Sequence, residues 1–233
     1  MIFEIKHKWT GVVLYSCEAN NIKEAVVQAV GKKADLKGAD LRWAYLQGAD
    51  LKGAVLQGAD LRWAYLRWAY LQGADLKGAD LQVAFLQGAD LRWAYLQGAD
   101  LKGAYLRWAY LQGADLKGAF LQGADLQGAF LQGADLQGAF LQGADLQENL
   151  KIKAGCAVLI FSGGGSVGRD VFAFNCETGI YVQAGCFFGD LNEFRAKVLQ
   201  DENGDKTIKK SLQYLGFANI AAISFDKPED VQT

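Results

Sequence analysis

The sequence predicts a mainly β solenoid, and three observations predict it. Ala recurs at every fifth position from Ala34 to Ala144, and Leu at every fifth position from Leu36 to Leu146. A long polar residue and then Gly close most of the units. The 23 units run without a break over residues 34–148, about half of the 233-residue chain.

A five-residue period suits neither regular element. A helix would smear such leucines around its circumference, and a strand would send successive ones to opposite faces. The pattern suits a chain that turns a corner once per unit and points the same two side chains inward each time. Units of this kind bury apolar surface only by stacking on their neighbours. Four corners close a square, so one coil takes about 20 residues and the 115 repeat residues make about 5.75 coils, roughly 28 Å of stacked strands at ~4.8 Å each. Leu36, Leu56, Leu76, Leu96, Leu116 and Leu136, one coil apart, are expected in the interior, with Ala where the walls approach.

At the corners, Gln-Gly pairs such as Gln47-Gly48 suit a type II turn, whose second central residue needs φ > 0. Trp43, Trp63, Trp68, Val83, Trp93 and Trp108 stand at that glycine position. Large or β-branched residues are poorly placed at φ > 0, so a different turn type is expected there.

The unit Ala34-Asp35-Leu36-Lys37-Gly38 and its 22 successors resemble the pentapeptide-repeat family. The resemblance implies a right-handed quadrilateral β-helix, with the central Leu and the Ala two before it facing inward. The regularity exceeds that of most natural members. Recent duplication and consensus engineering would both produce it.

On either side of the repeat lie two flanks, residues 1–33 and 149–233. In the first, Phe3 and Ile5, then Val13, Tyr15 and Cys17, alternate around the turn-forming Trp9-Thr10-Gly11, so a β-hairpin is expected. Asn20 or Asn21 then caps a helix whose apolar residues are Ile22, Ala25, Val26, Ala29 and Val30. Gly31 stops it, and Lys32-Lys33 favour its negative end. This hairpin and helix are expected to cover the first coil, whose unpaired backbone would otherwise invite association. In the second flank, strands are expected over Ala157–Phe161, Val171–Asn175 and Ile180–Ala184. A helix opening at Asp190 with Glu193 in a capping box follows, and then a second helix from Asp205. Phe3-Glu4-Ile5-Lys6, Gly179-Ile180-Tyr181-Val182 and Ala184-Gly185-Cys186-Phe187-Phe188-Gly189 resemble the ends of phage and prophage pentapeptide-repeat proteins. So does Gly204-Asp205, although Asn203 stands where relatives often carry His.

The residue before each Leu sorts the units. Twelve carry Asp and eleven an apolar or aromatic residue. Stacked in 20-residue coils, one column reads Tyr45, Tyr65, Phe85, Tyr105, then Asp125 and Asp145, beside a corner that reads Trp43, Trp63, Val83, Gly103. Stacked rings on adjacent coils would stabilise the column. A contiguous aromatic patch also reads as a protein contact or self-association face, with Trp43, Tyr45, Trp63, Tyr65, Phe85 and Tyr105 as its residues. Stacking of a sugar or a base is a third reading. The Asp columns read as a solvated face.

Net charge is −2, which does not point to nucleic acid or membrane, and no apolar run approaches the ~20 residues a membrane helix needs. Met1-Ile2-Phe3-Glu4-Ile5-Lys6 does not read as a signal peptide, and the cytoplasm is the expected compartment. Gly163, Gly165 and Gly168 match G-x-G-x-x-G, but a strand pattern follows where nucleotide binding needs a helix, so a hairpin loop is expected. Cys17, Cys156, Cys176 and Cys186 lack metal-ligand spacing, and His7 is the only histidine, so neither zinc nor a His-dependent nucleophile is expected. No cofactor is implied.

The reading that follows is a non-catalytic structural or protein-interaction scaffold, with a protein partner or a second copy as its contact. The family resemblance supplies an alternative, inhibition of a topoisomerase such as gyrase by mimicry of duplex DNA. That would need a strongly acidic column, whereas the repeat carries 13 acids against 10 bases. A second alternative is a metal-binding or enzymatic C-terminal cap.

Overall fold

The computed structural model describes residues 1–131, 133–147, 150–151, 159–161, 171–176, 179–184, 187–193 and 196. The chain forms two compact units, Met1–Gly155 and Cys156–Thr233.

In the first unit, strand β1 (Ile2–Lys6) pairs antiparallel with β2 (Val13–Glu18), and helix α1 (Ile22–Gly31) follows. Asn21 is the N-cap, and its side chain accepts from Glu24 N. Ala25, Val26 and Ala29 are the buried side of α1. The chain then winds as a right-handed β-helix. Parallel bridges join Asp35 to Val55, Asp40 to Asp60 and Tyr45 to Tyr65, and each later bridge keeps the same 20-residue step. Every coil is therefore four units. The last bridged residue, Asp145, opens β3 (Asp145–Gln147), which pairs antiparallel with β4 (Leu150–Lys151).

The interior is two side chains deep and almost invariant. Leu36, Leu46, Leu56, Leu66, Leu86, Leu96 and Leu106 are fully buried, and Leu76, Leu116 and Leu136 nearly so. The alanines from Ala39 to Ala134 are all buried. Neither residue brings a polar atom, so this ladder gains from burial at no hydrogen-bonding cost.

The backbone is as regular as the core. In a typical unit, Leu46 N donates to Tyr65 O at 2.8 Å, Gly48 N to Arg67 O at 2.9 Å, and Ala49 N closes the turn on Leu46 O at 3.0 Å. Tyr65 N donates back to Ala44 O at 2.9 Å. Four of the five N–H groups of a unit are thus satisfied by main chain. Before the first coil the N-terminal hairpin supplies partners. Lys8 N donates to Gly38 O and Asp40 N to Lys6 O, both at 2.8 Å, and His7 bridges Ala39.

The expectation of a second turn type at the Trp and Val corners is corrected. Trp43, Trp63, Trp68, Val83, Trp93 and Trp108 have φ between 56° and 61°, the same region as the glycines. Left-handed backbone costs a non-glycine residue about 1–3 kcal/mol. The neighbouring coil over-determines it. Trp43 N donates to Arg62 O and Ala44 N to Leu41 O, both at 3.1 Å, and another turn would break these bonds or swing the flanking Leu out of the core.

In the second unit, β5 (Leu159–Phe161), β6 (Val171–Cys176), β7 (Gly179–Ala184) and β8 (Phe187–Asp190) form an antiparallel sheet in chain order. At Leu191 a helical turn begins. Asp190 Oδ1 accepts from Glu193 N at 2.9 Å, and Glu193 Oε2 accepts from Asp190 N at 2.8 Å, which is a reciprocal capping box. Cys156, Cys186, the glycines of the G-x-G-x-x-G match and the helix expected from Asp205 lie outside the described residues.

Candidate functional site

The side chain before each Leu faces outward and repeats at the coil spacing, so like residues stack. Tyr45, Tyr65, Phe85 and Tyr105 form one continuous ladder. Its ring centroids are 4.7, 4.9 and 5.0 Å apart, with interplanar angles of 1°, 9° and 2°. Trp43 and Trp63 stack beside it at 5.1 Å and 6°. Parallel rings at this spacing gain about 0.5–1.5 kcal/mol per pair beyond burial. Each inner ring has both faces against neighbours and shows its edge to solvent. Tyr45, with no ring before it, is 62% exposed, whereas Tyr105 is 37% exposed. Arg67 lies over Phe85 at 5.5 Å.

The corner tryptophans behave in two ways. Trp43 and Trp63 stack. Trp68 and Trp93 instead lie over the glycine of the next coil, and Trp108 meets Gly128 with the Cδ1–Nε1 edge of its ring. A Cβ added to Gly88 would stand 2.2 Å from Trp68 Cζ3, and one on Gly113 would stand 2.3 Å from Trp93 Cε3. These glycines are needed for the space as well as for their positive φ.

The Asp residues need a correction too. They are not simply a solvated face. Oδ1 of Asp40 accepts from Arg42 N, that of Asp80 from Gln82 N and that of Asp125 from Gln127 N, at 3.2–3.3 Å. Asp35, Asp50, Asp60, Asp75, Asp90, Asp100, Asp115 and Asp135 do the same. In these units the side chain satisfies the one N–H that the coil ladder leaves over. Asx turns of this kind explain why Asp shares the position with bulky apolar residues. The signal was available as Asp two residues before the long polar residue of the corner, but a charge-based reading passes over it.

Two aspartates are buried, Asp60 at 5% and Asp90 at 8% exposure. Arg62 grips Asp60 at 2.6 and 2.9 Å and reaches Asp80 at 3.3 Å, and Arg42 stands 3.7 Å from Asp60. Burial opposes the Asp60 charge, but the Arg62 hydrogen bonds outweigh it and hold the carboxyl below the usual carboxylate range. Asp80 is pushed up, by burial first and then by the like charges of Asp60 and Asp100. Asp125 is also pushed up, by burial and by Asp145.

Among the described residues no group of three or more His, Cys, Asp or Glu is placed to hold a metal ion. No helix among them is long and apolar enough to cross a membrane. Cys17 is a half-buried free thiol.

A family model described as pentapeptide repeats matches the chain in eight copies, over residues 34–73, 59–98, 74–113, 89–128 and 114–148. Similar solved structures include a pentapeptide repeat protein, Rfr23, from the cyanobacterium Cyanothece 51142. It is 39% identical over 39% of this chain and 61% of that one, with a TM-score of 0.38. A pentapeptide repeat protein of the Arabidopsis thaliana thylakoid lumen is 32% identical over 42% of this chain and 66% of its own, with a TM-score of 0.36. The plasmid-mediated fluoroquinolone resistance protein QnrB1, full length, is 24% identical over 47% of this chain and 62% of its own, with a TM-score of 0.33. The chain spans less than two thirds of the length of each. No curated protein matches the chain.

Proposed function

By its residues 34–148 this chain belongs to the pentapeptide-repeat family, and from that premise we propose that it is a non-catalytic scaffold whose aromatic face makes a protein contact. The face consists of Trp43, Tyr45, Trp63, Tyr65, Phe85 and Tyr105. The observation that carries the reading is the ladder itself, three parallel stacks in a row that still leave Trp43, Tyr45, Trp63 and Tyr105 more than a third exposed. Ring stacking holds these side chains in one geometry before any partner arrives, so little ordering entropy is left for binding. Arg62 and Arg67 flank the rings, and Arg with Trp and Tyr is the usual composition of an interface centre. Four units per coil support a quadrilateral section. Residues 1–33 form a cap on the first coil, and 149–233 a second, C-terminal domain.

Mimicry of duplex DNA needs acids free to stand in for phosphates. Asp40 and Asp60 are instead held by Arg42 and Arg62, which favours the scaffold. A gyrase supercoiling assay showing inhibition at micromolar protein would reverse that order.

The contact face is tested by sedimentation over a range of concentrations. Association that the pair Trp63→Gly and Tyr65→Ser weakens about tenfold is expected. A strict monomer that both substitutions leave unchanged counts against the contact.

A further inference from the structure

The aromatic face is wider than its central ladder. Trp43 and Trp63 border it at the corner before the ladder, and Trp68 and Trp108 at the corner after it. Trp43, Tyr45, Trp63, Trp68, Tyr105 and Trp108 are 37–62% exposed. At ~250 Å² for a large aromatic side chain, this leaves roughly 750 Å² of ring surface open, close to the ~800 Å² that each partner contributes to a standard stable interface. A monomer rarely shows a contiguous apolar patch of that size.

The relief of this face is uneven along the coil axis. Down successive coils the corner before the ladder reads Trp43, Trp63, Val83, Gly103, Gly123, and the ladder column reads Tyr45, Tyr65, Phe85, Tyr105, Asp125. Trp43 and Trp63 form a raised stack of two indoles. Gly103 and Gly123 leave a step below it. A Cβ on Gly103 would meet only Val83 Cγ2, at 3.7 Å, and one on Gly123 would meet nothing within 4 Å. The raised end and the step lie equally far, in coils, on either side of Val83 and Phe85. The face is therefore its own complement when turned end for end.

Building on the protein-contact reading, we propose that the partner is a second copy of this chain, packed face to face with its coil axis antiparallel. The two-fold axis crosses the face at the level of Val83 and Phe85. Trp63 then enters the step at the partner's Gly103, and Trp43 enters that at the partner's Gly123. Tyr45 meets the partner's Asp125, whose carboxylate accepts from the phenol. Trp68 and the partner's Trp108 close the far edge. Arg67 and the partner's Arg107 share a level, but each guanidinium is turned toward its own next coil. Arg67 Nε donates to Gln87 Oε1 at 3.0 Å, and Arg107 Nη2 donates to Gln127 Oε1. In an antiparallel pair those directions are opposite, so the two cations lean apart. A parallel pair fits worse. It sets Asp125 and Asp145 against the same residues of the other copy, and like charges facing each other across an interface disfavour it.

The test is sedimentation of the full chain over a range of concentrations, with a substitution that adds a ring. A face that is merely apolar would associate more tightly with one more tryptophan. In the antiparallel pair Gly103→Trp fills the step that receives Trp63, so a dimer weakened about tenfold is expected. Five tryptophans already hold this turn position at positive φ, so the corner accepts the change, and circular dichroism checks the fold. Adding Trp63→Gly to Gly103→Trp exchanges the large and small members of the pair and should restore most of the association. Trp108→Gly should not. A parallel pair would set position 103 against the partner's Trp108 and reverse that pattern of rescue. Association that Gly103→Trp leaves unchanged or tightens, or that Trp108→Gly rescues, overturns the antiparallel pair and leaves the contact face standing. Association that neither Trp63→Gly nor Tyr65→Ser weakens removes the contact face itself. An unsubstituted chain that stays monomeric overturns the pair.

Discussion

The coils up to residue 118 and those after it share one interior and differ in almost everything outside. Residues 34–118 contain all six non-glycine corner residues, every tyrosine of the repeat, nine aspartates and ten Lys or Arg. Residues 119–147 use only Ala, Leu, Gly, Gln, Asp and Phe, with three aspartates and no base. Yet Leu76 and Leu121 are both 1% exposed, and Leu126 and Leu131 both 2%. Corner φ stays positive in both regions, from 59° at Trp43 to 68° at Gly143. The inner ladder and the backbone bonds therefore specify the coil, and the outer positions are free to carry aromatics, charge or neither.

The largest effect expected tests the shared interior. Leu76→Ala and Leu126→Ala should each cost about 2–5 kcal/mol and agree within about 1 kcal/mol, because both leave the same cavity in the same ladder. Denaturant midpoints for the two variants check this. A much cheaper Leu126→Ala would show that the later coils pack more loosely than their burial implies.

Next comes the corner glycine. Gly88→Ala should destabilise by about 1–3 kcal/mol more than Gly98→Ala. Both pay for positive φ, but only the first drives a methyl into the Trp68 ring, while nothing lies within 4 Å at Gly98. Adding Trp68→Gly should bring Gly88→Ala down to the Gly98→Ala level. A double-mutant cycle with no coupling would mean that the ring does not lie where it is described.

One aspartate from each region, Asp60 and Asp125, shows charge acting with opposite sign. The Asp60 carboxyl is lower in the folded chain than when unfolded, so its contribution is present above the unfolded value and is lost as pH falls through the folded one. Asp125 is raised in the folded chain, so its charge is a burden at neutral pH that eases as pH falls through the folded value toward the unfolded one. Asp60→Asn should therefore destabilise by about 1–2 kcal/mol at neutral pH, and by less in acid. Asp125→Asn, which keeps the turn acceptor, should be neutral or slightly stabilising. Thermal unfolding at pH 7 and pH 4 reads both, and equal losses for the two would refute the distinction.

The smallest effect is on the ladder. Tyr45→Ser removes a ring with one stacked neighbour and Phe85→Ser one with two, so Phe85→Ser should cost about twice as much, on the order of 1 kcal/mol against 0.5. Equal thermal shifts would show that stacking adds nothing beyond exposure.

Much of this was legible from the chain. Period five with inward Leu and Ala, the hairpin and the Asn21 cap all follow from local pattern. So does the capping box at Asp190, because each involves residues within a few positions of one another. The columns could be written down once the 20-residue coil was assumed, and the Tyr45–Tyr105 stack is one of them. Besides the turn type at the Trp and Val corners, two things were misjudged. The aspartates were read by charge, although their Oδ1 atoms serve a backbone N–H two residues on. Strand β8 was passed over because Phe187-Phe188-Gly189-Asp190 is too short and glycine-broken to show alternation.

By itself the sequence determined a repeating coil, its interior and the vertical neighbours of every outer side chain, because strict periodicity turns position in the chain into position in space. Only the tertiary structure decided that six bulky corner residues adopt positive φ, and which aromatic rings stand in a stack and which lie flat on a glycine. The physical reason is the same for both. Local preference disfavours Trp at φ > 0, but bonds and packing from a coil 20 residues away outweigh it. A ring's orientation depends on whether that coil offers another ring or an empty glycine surface.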